Sequence, residues 1–465
     1  MCFGRAAPRR LGSLVDGRIL WSRPMMPRRR LLLVVPALPP VRVTRERPIR
    51  HNPLFTLPYL GLLSIGALTP STYDVALVNE HVRPIDFEQP ADLVGITVMT
   101  PLAPRAYEIA AEFRRRGAQV VLGGLHPTNV PNEARQHADA IVRGEAERIW
   151  PELLADFERS ALRPVYDKRP PFDLAELPVP ARHLVAADGN PYDVIQATRG
   201  CVHHCDFCSV HGFHDGSYRV RPVASVIEEL KTLRGRMVMF VDDNLTANRS
   251  WAKELFAAMV PLKKRWMSMA TLKIAEDEAL LELARRSGCQ GVFLGLETIN
   301  RANLKAIRKH HNVRADFVEA VRRIQRHGMG VGAGTVYGFD HDDESVFDRM
   351  LRFAIDHDFS MLQVSPVVPF PGTRLRERFE AEGRNMDTDW SRYDFYHVVF
   401  DPRNMTREQL VEGMDRVRRG FYGRRSILRR LVRSAPRLGF GRTLVNALVN
   451  ASYRKNQRQG YEYPP

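Results

Sequence analysis

Cysteine is scarce in this chain of 465 residues, which has five: Cys2, Cys201, Cys205, Cys208 and Cys289. An odd and sparse set does not build the disulfide framework of a secreted domain. Apolar runs long enough to cross a bilayer are lacking too, and residues 1–24 hold no continuous apolar stretch of the kind that makes a signal peptide. These absences predict a cytoplasmic protein. We expect residues 1–28 to be a disordered extension or the product of a wrongly assigned start codon.

Acidic residues are outnumbered by basic ones, 53 to 69, which gives a formal net charge of +16. The excess lies in two arginine-rich blocks, one before residue 31 and one at residues 424–437. An excess of positive charge favours an anionic partner, which could be nucleic acid, a membrane surface or an acidic substrate. A non-enzymatic nucleic-acid-binding protein would carry basic residues interleaved with aromatic ones on one face. We find no such module in the sequence and expect no nucleic-acid partner.

The length predicts two or three domains. Residues 29–150 alternate helical patterns with short apolar runs, which are Leu31–Val35, Tyr73–Asn79, Leu93–Val98, Val120–Leu122 and Ala140–Val142. Continuous apolar strands that alternate with helices predict an α/β domain with a doubly wound parallel sheet. Residues 151–190 are rich in proline and predict a linker.

Residues 191–374 repeat a strand–helix pattern six times. The predicted strands are Asp193–Thr198, Met237–Asp242, Trp266–Leu272, Gly291–Gly295, Val331–Val336 and Met361–Val367. Six units in place of eight predict a partial, open β/α barrel, with its chemistry at the carboxyl ends of the strands. Residues 375–465 predict a mainly helical region, with a helix at Met405–Tyr422 capped by Thr406 and a basic, apolar-interleaved tail at Ser426–Asn450.

Three cysteines lie close together just past the first predicted barrel strand, in the run Cys201-Val-His-His-Cys205-Asp-Phe-Cys208. Three thiolates at this spacing can hold one iron–sulfur cluster and leave one iron open to a cofactor. The alternative is zinc, with His203 and His204 among the ligands, but zinc motifs usually offer a second, separated pair of ligands. Cys289 precedes the fourth predicted strand, on the opposite face of the barrel, and is not a candidate ligand.

The spacing C-x3-C-x-aromatic-C after a first barrel strand resembles that of the radical S-adenosylmethionine (SAM) superfamily. The runs Phe240–Asn244, Gly291–Glu297 and Pro369–Thr373 look like later strand motifs of that family. The resemblance implies a [4Fe–4S] cluster on Cys201, Cys205 and Cys208, with SAM on the open iron cleaved to methionine and a 5′-deoxyadenosyl radical. It places SAM-binding residues at Phe207, Asp242, Asp243, Asn244, Gly295 and Glu297. Helix caps, surface carboxylates and close packing are the structural alternatives for these residues.

Residues 29–150, placed ahead of such a barrel, resemble the domain of the cobalamin-binding radical SAM group. The runs Gly95–Thr100 and Val120–Gly124 carry this resemblance, and it places cobalamin-binding residues at Thr97, Met99, Gly123 and Gly124. Paired glycines at the end of a parallel strand let a bulky ligand approach the backbone. The Asp-x-His-x-x-Gly loop that supplies a cobalt ligand in many such domains is absent. Cobalt would then be bound without a protein histidine, or the domain is a relic or binds the substrate.

The two resemblances together imply a radical SAM enzyme, and more specifically a cobalamin-dependent C-methyltransferase acting on a lipid, an isoprenoid or a secondary metabolite. The alternative is a cyclase or oxidoreductase with a non-functional or substrate-binding first domain. An enzyme that thiolates tRNA would carry three further cysteines in the first domain, but residues 26–190 contain none.

Such an enzyme needs an electron donor such as ferredoxin or flavodoxin. The basic tail is compatible with contact at the inner face of a membrane. The favoured alternative for the tail is a helix packed on the barrel with a solvated basic face.

Overall fold

The computed structural model describes residues 13–15, 18–20, 28–38, 59–185 and 192–459, with side chains to residue 455. Two short strands near the amino terminus, β1 (Ser13–Val15) and β2 (Arg18–Leu20), pair antiparallel. The rest of the predicted extension 1–28 lies outside the described residues. So do residues 39–58, which include most of the loop that lacks the cobalt-ligand motif.

The first large sheet has six strands in the order β4-β3-β5-β6-β7-β8, and every neighbouring pair is parallel. The strands are β3 (Arg29–Val35), β4 (Tyr73–Asn79), β5 (Leu93–Thr97), β6 (Gln119–Gly123), β7 (Ala140–Val142) and β8 (Val165–Tyr166). The accompanying helices are α1 (Leu60–Leu68), α2 (Ala103–Arg115), α3 (Leu125–Asn129), α4 (Pro131–Ala134) and α5 (Trp150–Glu158).

Burial on both faces explains why these strands are apolar throughout. Side chains of β3 alternate between two separate clusters, Leu32 and Val34 in one and Leu31 and Leu33 in the other. Helix α2 packs on one face and α5 on the other, which is the doubly wound arrangement. Strand order reverses between β3 and β5, and ligands of such sheets bind at the carboxyl ends beside that switch point.

The second large sheet also has six parallel strands, in the order β16-β15-β14-β13-β12-β9. They are β9 (Asp193–Ile195), β12 (Met237–Phe240), β13 (Arg265–Ala270), β14 (Cys289–Glu297), β15 (Gly330–Tyr337) and β16 (Met361–Pro366). Strand order in space follows strand order along the chain, as in a β/α barrel, and the sheet stays open between β9 and β16.

Helices connect these strands and cover one side of the sheet. They are α6 (Ser209–Phe213), α7 (Val223–Thr232), α8 (Arg249–Met259), α9 (Glu278–Arg286), α10 (Arg301–Ala306), α11 (His310–Val313), α12 (Phe317–Arg326), α13 (Ser345–Asp356) and α14 (Arg374–Ala381). Leu255, Leu281 and Val321, from three of these helices, are fully buried in the main core. Strands β10 (Thr198–Gly200) and β11 (Tyr218–Val220) form a separate antiparallel pair.

Two helical elements end the described chain. Helix α15 (Arg407–Phe421) begins with a capping box between Thr406 and Gln409, as the predicted N-cap requires. The stretch α16 (Arg424–Gln459) is interrupted at Gly439, whose φ of 73° and ψ of 166° are not helical. No helix within the described residues is long and apolar enough to cross a membrane.

The predicted fold class is confirmed: a doubly wound first domain, a six-stranded open β/α barrel and a helical carboxyl-terminal region. Three details differ from the expectation. The segment 151–190, predicted as a linker, contains nearly all of helix α5, which packs on the first sheet. The same segment adds a sixth strand, β8, to that sheet. The first predicted barrel strand, Asp193–Thr198, ends at Ile195. The chain from Thr198 to Gly200 forms β10, which pairs with β11 and not with the barrel sheet.

Candidate functional site

The three clustered cysteines lie in a loop held at both ends. The loop leaves β10 after Gly200 and returns through α6 to β11, and Gly200 pairs with Tyr218 across the base. The Asp206 amide donates to the Ile307 carbonyl over 3.1 Å, and the Asp206 carbonyl accepts from the Leu375 amide over 2.9 Å. The loop is therefore fixed from three sides at the carboxyl end of the barrel sheet.

The cysteines of this loop are partly or fully buried, with Cys201 and Cys208 half-buried. Cys205 is buried, and burial raises the pKa of Cys205 to about 11 and that of Cys208 to about 12. Thiolates in such a place need a compensating positive charge, and iron ions supply it. No three His, Cys, Asp or Glu side chains of the described residues are placed to share one metal ion.

Glu297 and Lys309 form a buried ion pair beside the loop, with Nζ donating to Oε1 over 3.0 Å. The Lys309 ammonium also lies 5.8 Å from the centre of the Phe207 ring. Its charge opposes the rise in the pKa of Cys205 that burial causes. Glu297 adopts a left-handed φ of 61° at a bulge that ends β14. A Cβ atom at Gly295 would lie 2.8 Å from the Glu297 carboxylate, so this glycine makes room for the pair.

The Asp-Asp-Asn run after β12 supports the base of the loop. Asp242 Oδ1 accepts from the Ala197 amide over 3.0 Å and from Thr198, while Oδ2 is buried without a partner in the described chain. Burial raises the pKa of Asp242 to about 7. Asp243 accepts from the Gly200 amide over 3.2 Å, and the Asn244 amide group lies 3.9 Å from Cys201 Sγ.

The four predicted cobalamin residues lie together at the carboxyl edge of the first sheet. Thr97 and Gly123 end the paired strands β5 and β6, and Met99 is exposed in the next loop. Gly124 has a φ of 106°, and a Cβ there would stand 3.0 Å from the Val98 carbonyl oxygen. Only glycine fits this backbone comfortably. The glycine is therefore required by close packing of this turn on Val98 and Thr97, which brings the backbone of the strand end and the loop together at this edge.

His126 follows the glycine pair and is fully buried. Its Nε2 atom lies 2.9 Å from the Tyr107 hydroxyl and 3.4 Å from Glu133 Oε1. Its ring makes an edge contact with Trp390, whose indole N–H donates to Glu133 Oε2 over 2.9 Å. The group links the first domain to the carboxyl-terminal region. His126 therefore lies inside a contact between two parts of the protein.

The carboxyl edges of the two sheets meet. A Cβ on Gly372, in the Pro-Phe-Pro-Gly run, would lie 2.4 Å from Asn129 Oδ1 in α3. On the other side, Lys168 donates to the carbonyl of Gly212, just after the cysteines, over 2.9 Å. The cysteine loop and the glycine-pair edge therefore border one region between the domains.

A buried ionic network joins the same two edges. Glu145, in the loop after β7, accepts from Arg219 over 2.5 Å, is paired with His214 at 3.0 Å and lies 3.5 Å from Arg199. Arg199 also donates to Glu147 over 2.5 Å. Burial alone would raise the pKa of Glu145, but hydrogen bonds from His214 and Arg219 and the charge of Arg199 hold that pKa well below its usual range. This network fixes the β10–β11 pair against the first domain.

Sequence reasoning missed Lys309 and Glu145. Lys309 lies in a connection between two short helices and Glu145 lies in a loop, so no periodic pattern marks them. Their partners are 12 and 74 residues distant along the chain. One signal was available for Glu145, because it follows a predicted strand end where functional side chains gather.

Two family models and several known proteins match this chain. Residues 195–354 match the family model of the radical SAM superfamily, and residues 46–154 match that of the B12 binding domain. Bacteriochlorophyllide d C-8(2)-methyltransferase of Chlorobaculum tepidum is 32% identical over 373 residues, 75% of this chain and 81% of that protein. Hopanoid C-2 methylase of Rhodopseudomonas palustris is 29% identical over 74% of this chain and 68% of its own length.

A cyclase is also among the relatives. Anaerobic magnesium-protoporphyrin IX monomethyl ester cyclase of Cereibacter sphaeroides is 25% identical over 72% of this chain and 60% of its own. Among solved structures, the radical SAM methyltransferase TsrM of Kitasatospora setae superposes with a TM-score of 0.59 at 18% identity, covering 76% of this chain and 75% of that one. At that identity the likeness shows the fold.

Proposed function

This chain belongs to the radical SAM superfamily, in the group with a B12 binding domain, and from that membership we propose that it methylates a carbon atom of a lipophilic ring compound. The expected cofactors follow from the two domains. A radical SAM domain implies a [4Fe–4S] cluster and SAM, and a B12 binding domain implies cobalamin. The chain is thus an enzyme, and methyl transfer is favoured over cyclisation by its methyltransferase relatives.

One observation carries the proposal: the cysteine loop and the Gly123–Gly124 edge border the same region between the domains. When bound, the cluster with SAM would supply a radical that abstracts hydrogen, and cobalamin would supply the methyl group. Both must reach one substrate carbon, which requires the two edges to face each other. Cyclisation by a radical SAM domain alone places no such demand on the first domain.

The residues of the chain have separate tasks in this proposal. Cys201, Cys205 and Cys208 would hold the cluster, and Phe207, Lys309 and Glu297 shape and charge the space beside it. Asp242, Asp243 and Asn244 support the loop from below, and we propose that Asp243 and Asn244 also face SAM.

We assign cobalamin to the edge formed by Thr97, Met99, Gly123 and Gly124. No protein histidine below the cobalt is included in this assignment. The position of these residues at the carboxyl ends of the paired strands β5 and β6, beside the switch point of the sheet, is the feature that supports it.

The relatives suggest the substrate class. Their names specify a bacteriochlorophyllide and a hopanoid, which are both polycyclic and lipophilic. We propose a substrate of that kind, an electron donor such as ferredoxin or flavodoxin, and a cytoplasmic enzyme in peripheral contact with a membrane. We also propose domains at residues 29–150, 191–374 and 375–465, with 151–190 as a connection that adds α5 and β8 to the first domain.

The test measures two products in one assay. Anaerobically reconstituted protein is incubated with SAM, methylcobalamin, a strong reductant and either a bacteriochlorophyllide or a hopanoid. We expect 5′-deoxyadenosine from the wild type, and S-adenosylhomocysteine that rises only when cobalamin and a suitable substrate are present. Deoxyadenosine without S-adenosylhomocysteine would favour the cyclase alternative.

Two cysteine variants provide the matched comparison. Cys205→Ala should lose the iron content and the visible absorbance of the cluster and form no deoxyadenosine. Cys289→Ala removes the cysteine that begins β14, at the opposite end of the strand from Glu297. This variant should keep the iron content, the absorbance of the cluster and the formation of deoxyadenosine. Normal iron content in Cys205→Ala would refute the ligand assignment, whatever the activity.

A further inference from the structure

Exposed apolar side chains are concentrated on α16. Of the eleven large hydrophobic residues exposed in the described part of the chain, six lie on this element, and we call them the apolar stripe: Leu428, Val432, Phe440, Leu444, Val445 and Leu448. Phe440 is 86% exposed. Isolated exposed hydrophobic residues are normal, but a group at helical spacing on one element marks an interaction surface.

The element is a hairpin of two helices. Its backbone breaks at Gly439, three residues after Pro436. Beyond the break the chain returns alongside the first half, since Arg430 donates to Asn450 Oδ1 over 3.0 Å and the rings of Tyr422 and Tyr453 stack 5.0 Å apart. Phe440 therefore lies at the turn of the hairpin.

The face of α16 that packs on the barrel is largely polar. The buried Arg430 side chain donates to the Phe359 carbonyl over 2.7 Å, Asn450 donates to the Ser360 carbonyl over 2.9 Å, and Arg442 donates to the Gly328 carbonyl over 2.5 Å. These contacts fix the hairpin to the protein. Other residues of α16 already make its contacts with the barrel. The apolar stripe is therefore a separate face of the hairpin that the barrel does not need.

The charge of α16 identifies what could cover the stripe. Between residues 424 and 459 the sequence has ten Lys and Arg residues and no Asp or Glu. Asp356 and Asp358 on the barrel offset three of the arginines only in part. A second copy of the hairpin would bring the same positive charge against itself, whereas an anionic surface complements it. Apolar residues flanked by arginines are the pattern of helices that lie in a membrane interface.

We propose that the apolar stripe docks on an anionic lipid bilayer, with Phe440 and its helical neighbours in the headgroup region. Gly328 and Ser360, which hold the hairpin, directly precede β15 and β16, so the stripe lies at the amino-terminal edge of the barrel sheet. The cysteine loop lies at the opposite edge. The contact therefore anchors the enzyme near lipophilic compounds and does not itself feed the site. The inference rests on the proposed membrane contact and is independent of methyl transfer.

Vesicle flotation tests the proposal with the anaerobic holoprotein. We expect the wild type to float with vesicles of equal phosphatidylglycerol and phosphatidylcholine, and to bind phosphatidylcholine vesicles far less. The variant Leu428→Ser/Phe440→Ser/Leu448→Ser should bind anionic vesicles at least about tenfold more weakly, because three side chains that would enter the apolar part of the membrane interface become polar. These positions are exposed, so the variant should fold normally.

A matched control is Val179→Ser, which removes an exposed hydrophobic residue outside α16 and should bind like the wild type. Failure of the wild type to float, or equal flotation of the triple variant, would overturn the proposal. A wild-type dimer that the triple variant loses would assign the stripe to a second copy and would overturn it as well. Deoxyadenosine formation in vesicle-free solution should be the same in both proteins, so a failure here leaves the proposed reaction untouched.

Discussion

Lys309 brings a positive charge to the cysteine loop. Its side chain is nearly inaccessible to solvent, and its hydrogen bond to Glu297 orients the ammonium beside Phe207 and Cys205. The potential of an iron–sulfur cluster depends on nearby charge, hydrogen bonds and solvent exposure. A cation in this place favours the reduced cluster, which carries one more negative charge than the oxidised one.

The first prediction concerns the charge of Lys309. Lys309→Met should lower the midpoint potential of the reconstituted cluster by on the order of 60 mV, the equivalent of a tenfold change for one electron. The cause is the loss of one positive charge together with an unpaired Glu297 carboxylate. Redox titration followed by electron paramagnetic resonance measures the shift.

Two further variants separate charge from packing. Lys309→Arg keeps the charge and should stay near the wild-type potential. Lys309→Met/Glu297→Gln removes both charges, so most of the shift should disappear. An unchanged potential in the single variant, with iron content intact, would show that Lys309 serves only to pair with Glu297.

For single residues, the sequence predicts only those groups whose members lie close together along the chain. The three cysteines occur within eight positions, so the sequence alone groups them. Gly295 was nominated as a SAM contact, and the structure places it where it makes room for the Glu297–Lys309 pair. That pairing depends on the left-handed backbone at Glu297, which no sequence pattern marks.

At the scale of elements, the β10–β11 pair connects the cysteine loop to the first domain. Arg199 and Arg219 project from its two strands, and both reach Glu145. A carboxylate held by several basic groups away from water is costly to remove alone, since the basic groups then lose their partner. Glu145 therefore governs how firmly the base of the loop is held.

The second prediction tests this role. Glu145→Gln should destabilise the protein by about 3 kcal/mol, because buried arginines lose their counter-charge. Amides of residues 198–220 should exchange hydrogen faster, as measured by mass spectrometry. The control is Glu152→Gln, which removes a solvent-exposed carboxylate paired with Arg163 and Arg169 and should leave the exchange of residues 198–220 unchanged. Similar behaviour of the two variants would contradict the role given to Glu145.

The elements differ in how far the sequence predicts them. Barrel strands are apolar and bounded by turns, so all six lie within three residues of their predicted bounds. The β10–β11 pair was missed because its strands are three residues long and are separated by the cysteine loop. Strand β8 is two residues long and lies among prolines, which indicated a linker.

At the scale of the whole molecule, the first domain and the carboxyl-terminal region meet around His126. The sequence predicts each domain from its own pattern, but the meeting of Tyr107, Glu133 and Trp390 depends on docking. Tyr107 donates to Glu133, so its oxygen is the natural acceptor for an N–H at His126 Nε2. His126 Nδ1 is buried with no partner among the described residues.

Protonation of His126 would therefore be unfavourable in the folded protein. A proton on Nδ1 would need an acceptor that the surroundings do not offer. Burial lowers the pKa of His126, and Glu133 opposes the shift only in part. In the unfolded chain the same side chain takes up a proton near pH 6.5. The stability that His126 contributes as a neutral side chain is thus present above that pH and is lost as the pH falls below it.

The third prediction follows from this loss of stability at low pH. Between pH 7.5 and pH 5.5 the thermal midpoint of the wild-type holoprotein should fall further than that of His126→Gln. The extra loss in the wild type should be at most about 1.4 kcal/mol for each pH unit below 6.5, which corresponds to about 1–2 degrees in the midpoint for a chain of this length. His357→Gln serves as a comparison, since that histidine lies outside the contact between domains and is less buried. If His126→Gln lost stability on acidification as steeply as the wild type, the pKa of His126 would be the same in the folded and the unfolded protein, and the contact with Trp390 would accept a charged imidazole without cost.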